Sequence, residues 1–186
     1  ALWGGLIMGI PTLISTATAS GATSVDIESG VDGTYDEYMF VCTDMGPATD
    51  GKDFFCKFSV DGGSNYGLTK TTTIFRGYHK EDDSAATLAY EGGQDLAQST
   101  NALPLAPAVG NGADESCATI LHLFSPSSTT YVKHFYYRTC TYASIDAVRD
   151  VHGAGYINNT SAVNAVQFYF QDGVAFDGVI QMYGIS

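Results

Sequence analysis

Charge is what this sequence has least of. Only 15% of its 186 residues are charged, against roughly 25% in an average soluble protein. Just 8 are Lys or Arg beside 20 Asp or Glu, a formal net charge of −12. A field of that sign repels phosphate backbones, which disfavours nucleic acid as a partner. The 4 cysteines include no C-x-x-C pair, so the spacing of zinc and dithiol redox centres is missing. A domain of this length does not need a disulfide framework, and Cys42, Cys56, Cys117 and Cys140 are expected to be free thiols packing as small apolar residues rather than bridges. No G-x-S-x-G, H-E-x-x-H or phosphate-binding loop is present to organise a nucleophile, a base and an oxyanion hole. Past the opening residues, no apolar run is long enough to cross a bilayer. The expectation is a non-enzymatic protein without cofactor or membrane insertion.

What is there is β-type. Hydrophobic residues make up 45% of the chain, and they recur with period two in runs rich in β-branched and aromatic residues. The alternation predicts strands over 35–43, 54–60, 70–76, 117–124, 130–137, 163–170 and 177–183, with shorter ones at 13–18, 24–28, 86–90 and 152–157. Residues 143–150 (ASIDAVRD) are expected to form a helical turn or two. Asp61, Gly62 and Gly63 supply a hairpin turn, and Ser125 to Ser128 a chain reversal. About ten short, mostly antiparallel strands without interleaved helices predict one all-β domain over 13–186, a β-sandwich or jelly roll. The polar stretch 79–115 reads as exposed loops or a flap at one end.

The opening ALWGGLIMGIPTLISTATA has the outline of a signal peptide. No Lys or Arg precedes its apolar run, and Pro11 and several glycines interrupt it, so residues 1–12 are expected to be an assembly arm. Leu2, Trp3, Leu6, Ile7, Met8 and Ile10 would dock on a neighbour instead of facing water. His122 and His134 lie on two arms of a hairpin and could face each other as a metal pair, yet no third ligand is visible, and two imidazoles filling a sheet face is the preferred reading. The acidic clusters Glu81, Asp82, Asp83 and Asp114, Glu115 could hold structural Ca²⁺, but neither has an EF-hand or RTX pattern, and solvated loops suffice. Most aromatics fall at alternating strand positions, where the core accounts for them. Tyr66, Tyr78, His79 and Tyr90, with the turn residues Ser127 and Ser128, are left as candidate recognition residues.

Several strings resemble a family of small virion proteins and fibre-tip domains of aquatic tailed bacteriophages. They are IPTLISTATASGATSVDIESGVDGTYDEYMFV (10–41), DGGSNY (61–66), DLAQST (95–100), GNGADES (110–116), LHLFSPSSTTYVKHF (121–135) and GYINNTSAVNAVQF (155–168). The ending FDGVIQMYGIS (176–186) is similar to the "SGTIKLYGI" ending of phage fibre and accessory proteins, with Asp177 where Ser is more usual. The resemblance covers nearly the whole chain. It implies a virion structural protein, assembled in the host bacterial cytoplasm, and it implies no catalytic residues. A sandwich with an apolar arm that cannot be satisfied alone is expected to pack with itself as a homotrimer, or on a capsid lattice, and with other virion proteins.

Two roles stay open on this reading. One is a tail fibre or adhesion module touching a host surface glycan or protein through residues 78–115 and 125–130. The other is a capsid decoration (cement) or head-fibre protein. A polysaccharide-degrading enzyme would need two carboxylates ~5–9 Å apart in a groove, and the repeats of a parallel β-helix are absent.

Overall fold

In the computed structural model, which describes residues 9–186, period-two alternation builds nearly every element. The strands are β1 (Thr12–Ala22), β2 (Val25–Ile27), β3 (Glu37–Pro47), β4 (Lys52–Ser59), β5 (Lys70–Lys80), β6 (Ala86–Tyr90), β7 (Leu103–Val109), β8 (Cys117–Phe124), β9 (Lys133–Ala143), β10 (Ala147–Ile157), β11 (Ala165–Phe170) and β12 (Phe176–Ile185). All their pairings are antiparallel. The expected all-β sandwich is present, with twelve strands instead of about ten.

The strands form two layers. A large sheet runs β1-β12-β3-β8-β9-β10-β5-β6, and a small one runs β7-β4-β11-β2. They are continuous through one residue pair, Val109 of β7 with Ala143 of β9. The core lies between them. Phe40 of β3 meets Phe168 of β11 at 5.7 Å, Phe58 of β4 meets Phe135 of β9 at 5.6 Å, and Phe170 of β11 meets Phe176 of β12 at 5.4 Å between ring centroids. These six rings are buried, and each is worth roughly 1.5–3 kcal/mol in area removed from water.

Two aromatic rings of β9 also explain the glycines of β10. Gly153 stands opposite Tyr137 and Gly155 opposite Phe135. A Cβ at Gly153 would lie 2.2 Å from the Tyr137 ring, so the ring occupies the space the glycine leaves empty. Tyr137 thereby leans over its neighbour strand and sends its hydroxyl to Pro104 O of β7, in the other layer, at 2.5 Å.

Three expectations fail here. Asp61, Gly62 and Gly63 turn the chain after β4 but make no hairpin, since β4 pairs with β7 and β11 while β5 pairs with β10 and β6. Residues 143–150 are not helical: Ser144, Ile145 and Asp146 make a three-residue hairpin turn between β9 and β10, closed by Asp146 at φ 52°. Ala147, Arg149 and Val151 point inward while Val148 and Asp150 point outward, a strand phase that a short window shared with a helix. The stretch 79–115 is not simply a flap, since it carries β6 and the buried strand β7. Pro104 and Pro107 disguised β7, because proline cannot donate to a ladder. They are tolerated because β7 pairs with β9 only at Val109, so most of that flank has no ladder to complete. Its carbonyls are served by side chains instead, Pro104 O by Tyr137 and Pro107 O by Arg149 Nη1 at 2.8 Å.

At the far end of the large sheet, Lys70 and Lys133 flank Ile157 and are fully buried. Lys70 Nζ donates to Leu68 O at 2.7 Å, and burial lowers its pKa from 10.5 to about 8. Between those values the unfolded chain binds more protons than the folded one. The destabilisation is therefore complete below about pH 8 and is relieved as pH rises towards 10.5. Urea denaturation at pH 7 should find Lys70→Met more stable than the wild type by on the order of 2–3 kcal/mol, with the gap closing from pH 8 to 10.5. A gap independent of pH would refute a buried charged lysine.

Candidate binding surfaces

The residues singled out in the sequence do not converge on one place. Leu2, Trp3, Leu6, Ile7 and Met8 lie outside the described residues, and Ile10 is 81% exposed. Tyr78 and His79 sit near the β5–β6 turn, while Ser127 and Ser128 belong to the β8–β9 loop. The register puts these at opposite ends of the large sheet, since β10 pairs Ala147 with Lys80 at one end and Ile157 with Lys133 at the other. Its 11 residues separate the two by about 33 Å at ~3.3 Å per residue. No common recognition edge can include both.

Individual positions also differ. His122 stands opposite Tyr136, two places from His134, so the cross-strand histidine pair does not form. His122 Nδ1 is hydrogen-bonded to Glu37 Oε1, and His134 lies beside Tyr156. Tyr66 is half-buried with its hydroxyl enclosed and unpartnered, and burial pushes that hydroxyl well above the usual range. His79 is on β5, with Nε2 2.9 Å from Asp83 Oδ1. Glu115 folds back over its own loop, where Oε2 accepts from Gly112 N at 2.5 Å. Among the described residues no three His, Cys, Asp or Glu side chains gather in a way that could hold a metal. Cys42, Cys56 and Cys117 are buried free thiols and Cys140 an exposed one.

The first surface that does assemble is the outer face of the large sheet. His122 stacks on Tyr136 at 4.6 Å, Phe124 packs on the same ring at 5.5 Å, and His152 stacks flat on Phe75 at 5.0 Å. Ile120, Val148, Leu88 and Tyr90 are exposed on it. The outward positions of β8, β9, β10, β5 and β6 carry one arginine and one aspartate, Arg138 and Asp150, joined by two 2.9 Å hydrogen bonds. In a chain of net charge −12 these five strands set one arginine against one aspartate, and the further acids of the face stand to one side, Glu37 of β3 against His122 and Asp177 on β12. β6 ends the sheet with the sequence ATLAY, which has none of the lysines, prolines or bulges that normally guard an exposed edge.

The second surface is a cleft over the small sheet. Phe55 and Lys57 of β4 and Tyr169 of β11 point away from the core, opposite in phase to the buried Phe54, Cys56, Phe58, Phe168 and Phe170. The Phe55 and Tyr169 rings are 5.6 Å apart, and Lys57 Nζ lies 5.0 Å from the Tyr169 centroid. The connection from β6 to β7, residues 91–102, crosses from one layer to the other and walls a space of about 470 Å³ over these side chains. Most connections in compact domains are shorter, about 4–6 residues.

The wall is pinned. Leu96 N donates to Thr72 Oγ1 and Thr72 N to Leu96 O, both at 2.8 Å. Lys70 and Ser99 exchange backbone hydrogen bonds at 2.8 and 3.0 Å, and Gln98 Nε2 donates to Thr71 Oγ1 at 2.7 Å. Tyr90, the candidate that comes nearest to this site, donates its hydroxyl to Asp95 Oδ2 at 2.6 Å. Phe55, Lys57 and Tyr169 went unrecognised because adjacent aromatics all read as core. The usable signal was phase: in FFCKFSV one aromatic and one lysine share the face that the core residues avoid.

No protein-family model, curated protein or solved structure matches the chain.

The pinning is testable apart from any ligand. Thr72→Val removes the buried acceptor of Leu96 N and should cost about 1–3 kcal/mol in urea denaturation. Amide hydrogen exchange should accelerate at Leu96 and Ser99 while the β8–β9 ladder stays protected. Unchanged exchange at Leu96 would mean that the wall is held elsewhere.

Proposed function

We propose that this chain is a non-enzymatic structural and adhesion module of a bacteriophage virion, of the tail-fibre kind, that self-associates through the outer face of its large sheet. The observation that carries the reading is the scarcity of charge over β8, β9, β10, β5 and β6 on that face. Exposed aromatic and aliphatic side chains over five strands, with a single arginine compensated by a single aspartate, make a surface suited to packing. Most of the acids that give the chain its charge lie off these five strands, where they keep assembled copies soluble. The virion assignment draws its support from the strings resembling phage fibre and accessory proteins. The candidate partners are further copies of the chain in a homotrimer, other virion proteins, and a host surface glycan or protein.

Capsid decoration is the second reading. The same broad charge-poor face favours it, because such a face could lie against a capsomer as well as against another copy. Quantitative mass spectrometry of purified virions against the major capsid protein separates the two. A few dozen copies per particle, on the order expected for fibres with closed symmetry, support the fibre reading. Hundreds would favour decoration, and absence from the particle would overturn both.

Self-association has its own measurement. Sedimentation should show an oligomer, and Ile120→Asp, which sets a second carboxylate beside Arg138, already bonded to Asp150, should weaken it by about tenfold or more. A wild type that stays monomeric at about 100 μM, a concentration at which even weak specific contacts populate, would sink the proposed interface.

A further inference from the structure

We propose that the cleft over β4 and β11 binds a saccharide bearing a uronic-acid carboxylate. The proposal rests on the adhesion reading and names the chemistry that reading leaves open. At about 470 Å³ the space falls within the ~300–1,000 Å³ of small-molecule sites, and its wall is fixed before any ligand arrives. Preformed walls spare a ligand the entropy of ordering a loop.

Charge identifies the ligand. Of the 8 Lys and Arg residues, Lys70, Lys133 and Arg149 are buried. Lys52 is bonded to Asp172, Arg76 to Glu91 and Arg138 to Asp150. Ser84 and, more weakly, Lys80 hold the Asp82 carboxyl below its usual range, which places Lys80 beside an acid. Lys57 is different. Among the described residues it makes no ion pair, although the chain offers 20 carboxylates. It lies instead over the Tyr169 ring, inside the cleft. A cation kept from internal partners in so acidic a protein is free to meet an external carboxylate in a charge-assisted hydrogen bond.

The remaining surfaces fit a sugar. Phe55 and the uncovered part of Tyr169 offer apolar planes for the C–H face of a pyranose ring. Gln94, Thr100 and Asn101 on the wall offer donors and acceptors for its hydroxyls. Asp95, the acid in the cleft, keeps its charge but is turned towards Tyr90, which donates to its Oδ2. A neutral sugar would leave Lys57 unused, and an acidic peptide would leave the ring planes without a matching face.

The test is calorimetric titration of the full chain with hexamers of galacturonate and of mannuronate, against a neutral galactose hexamer and hexaglutamate, with NMR chemical-shift mapping in parallel. At least one uronate hexamer should bind, shifting Phe55, Tyr169 and wall residues 93–101. Lys57→Gln and Tyr169→Ala should each weaken it about tenfold or more. The galactose hexamer should bind more weakly and be indifferent to Lys57→Gln, while Ile120→Asp, on the opposite layer, should leave uronate binding intact. Silence from both uronates, equal binding of hexaglutamate, or shifts confined to another surface would overturn the site. Lys57→Gln changes an outward side chain, so its near-UV circular dichroism should match the wild type and separate lost binding from lost folding. Failure of this site would leave the virion copy number untouched, so the two readings fail separately.

Discussion

Two buried hydrogen bonds between the layers organise this molecule. β7 has proline at two of its seven positions and a ladder on only one flank for most of its length. Its other flank is held by Tyr137 and Arg149, which reach across from β9 and β10 to Pro104 O and Pro107 O. A carbonyl buried without a donor would cost on the order of 1–3 kcal/mol, so these side chains do for β7 what a neighbouring strand does elsewhere. Tyr137 can reach only because Gly153 clears the space beneath its ring. The glycine in one strand, the tyrosine in the next and the proline in the other layer are one arrangement.

The same seam determines where ligands and partners can go. Because β7 is drawn against the large sheet, the chain must cross from the β6 edge to reach it, and that crossing becomes the wall over Phe55 and Tyr169. The cleft and the charge-poor face therefore lie on opposite outsides of the sandwich. A copy packed on the charge-poor face leaves the cleft open. On the proposed reading, assembly and recognition would meet only at the β6 edge, where Tyr90 of the face bonds Asp95 of the cleft.

Most of the architecture was legible because period-two alternation is a direct image of a sheet with one wet face. YDEYMFVCT and CATILHLF became β3 and β8, in which Tyr38, Phe40, Leu121 and Leu123 alternate inward. Long-range side-chain substitution for hydrogen bonds was not legible, and it is what rescued β7 from its prolines. Register was legible only to within a residue of turn length. Placing the β8–β9 turn one residue early set His122 against His134, whereas the ladder sets it against Tyr136. The cleft was missed for a related reason: Phe55 beside Phe54, and Tyr169 between two phenylalanines, look like core until the phase of each strand is known.

The order of pairing has a bearing on how the chain reaches its structure. β1 is completed by β12, and β2 by β11, so the first two strands wait for the last two. No early portion of the chain can finish a layer as it leaves the ribosome. Contacts this distant in sequence must overcome loop-closure entropy before they return any stability, which slows folding and prolongs the life of unpaired edges. During synthesis β1 would be held as an open, largely uncharged strand, and a cell producing many copies at once would rely on chaperones to keep those strands from finding one another first.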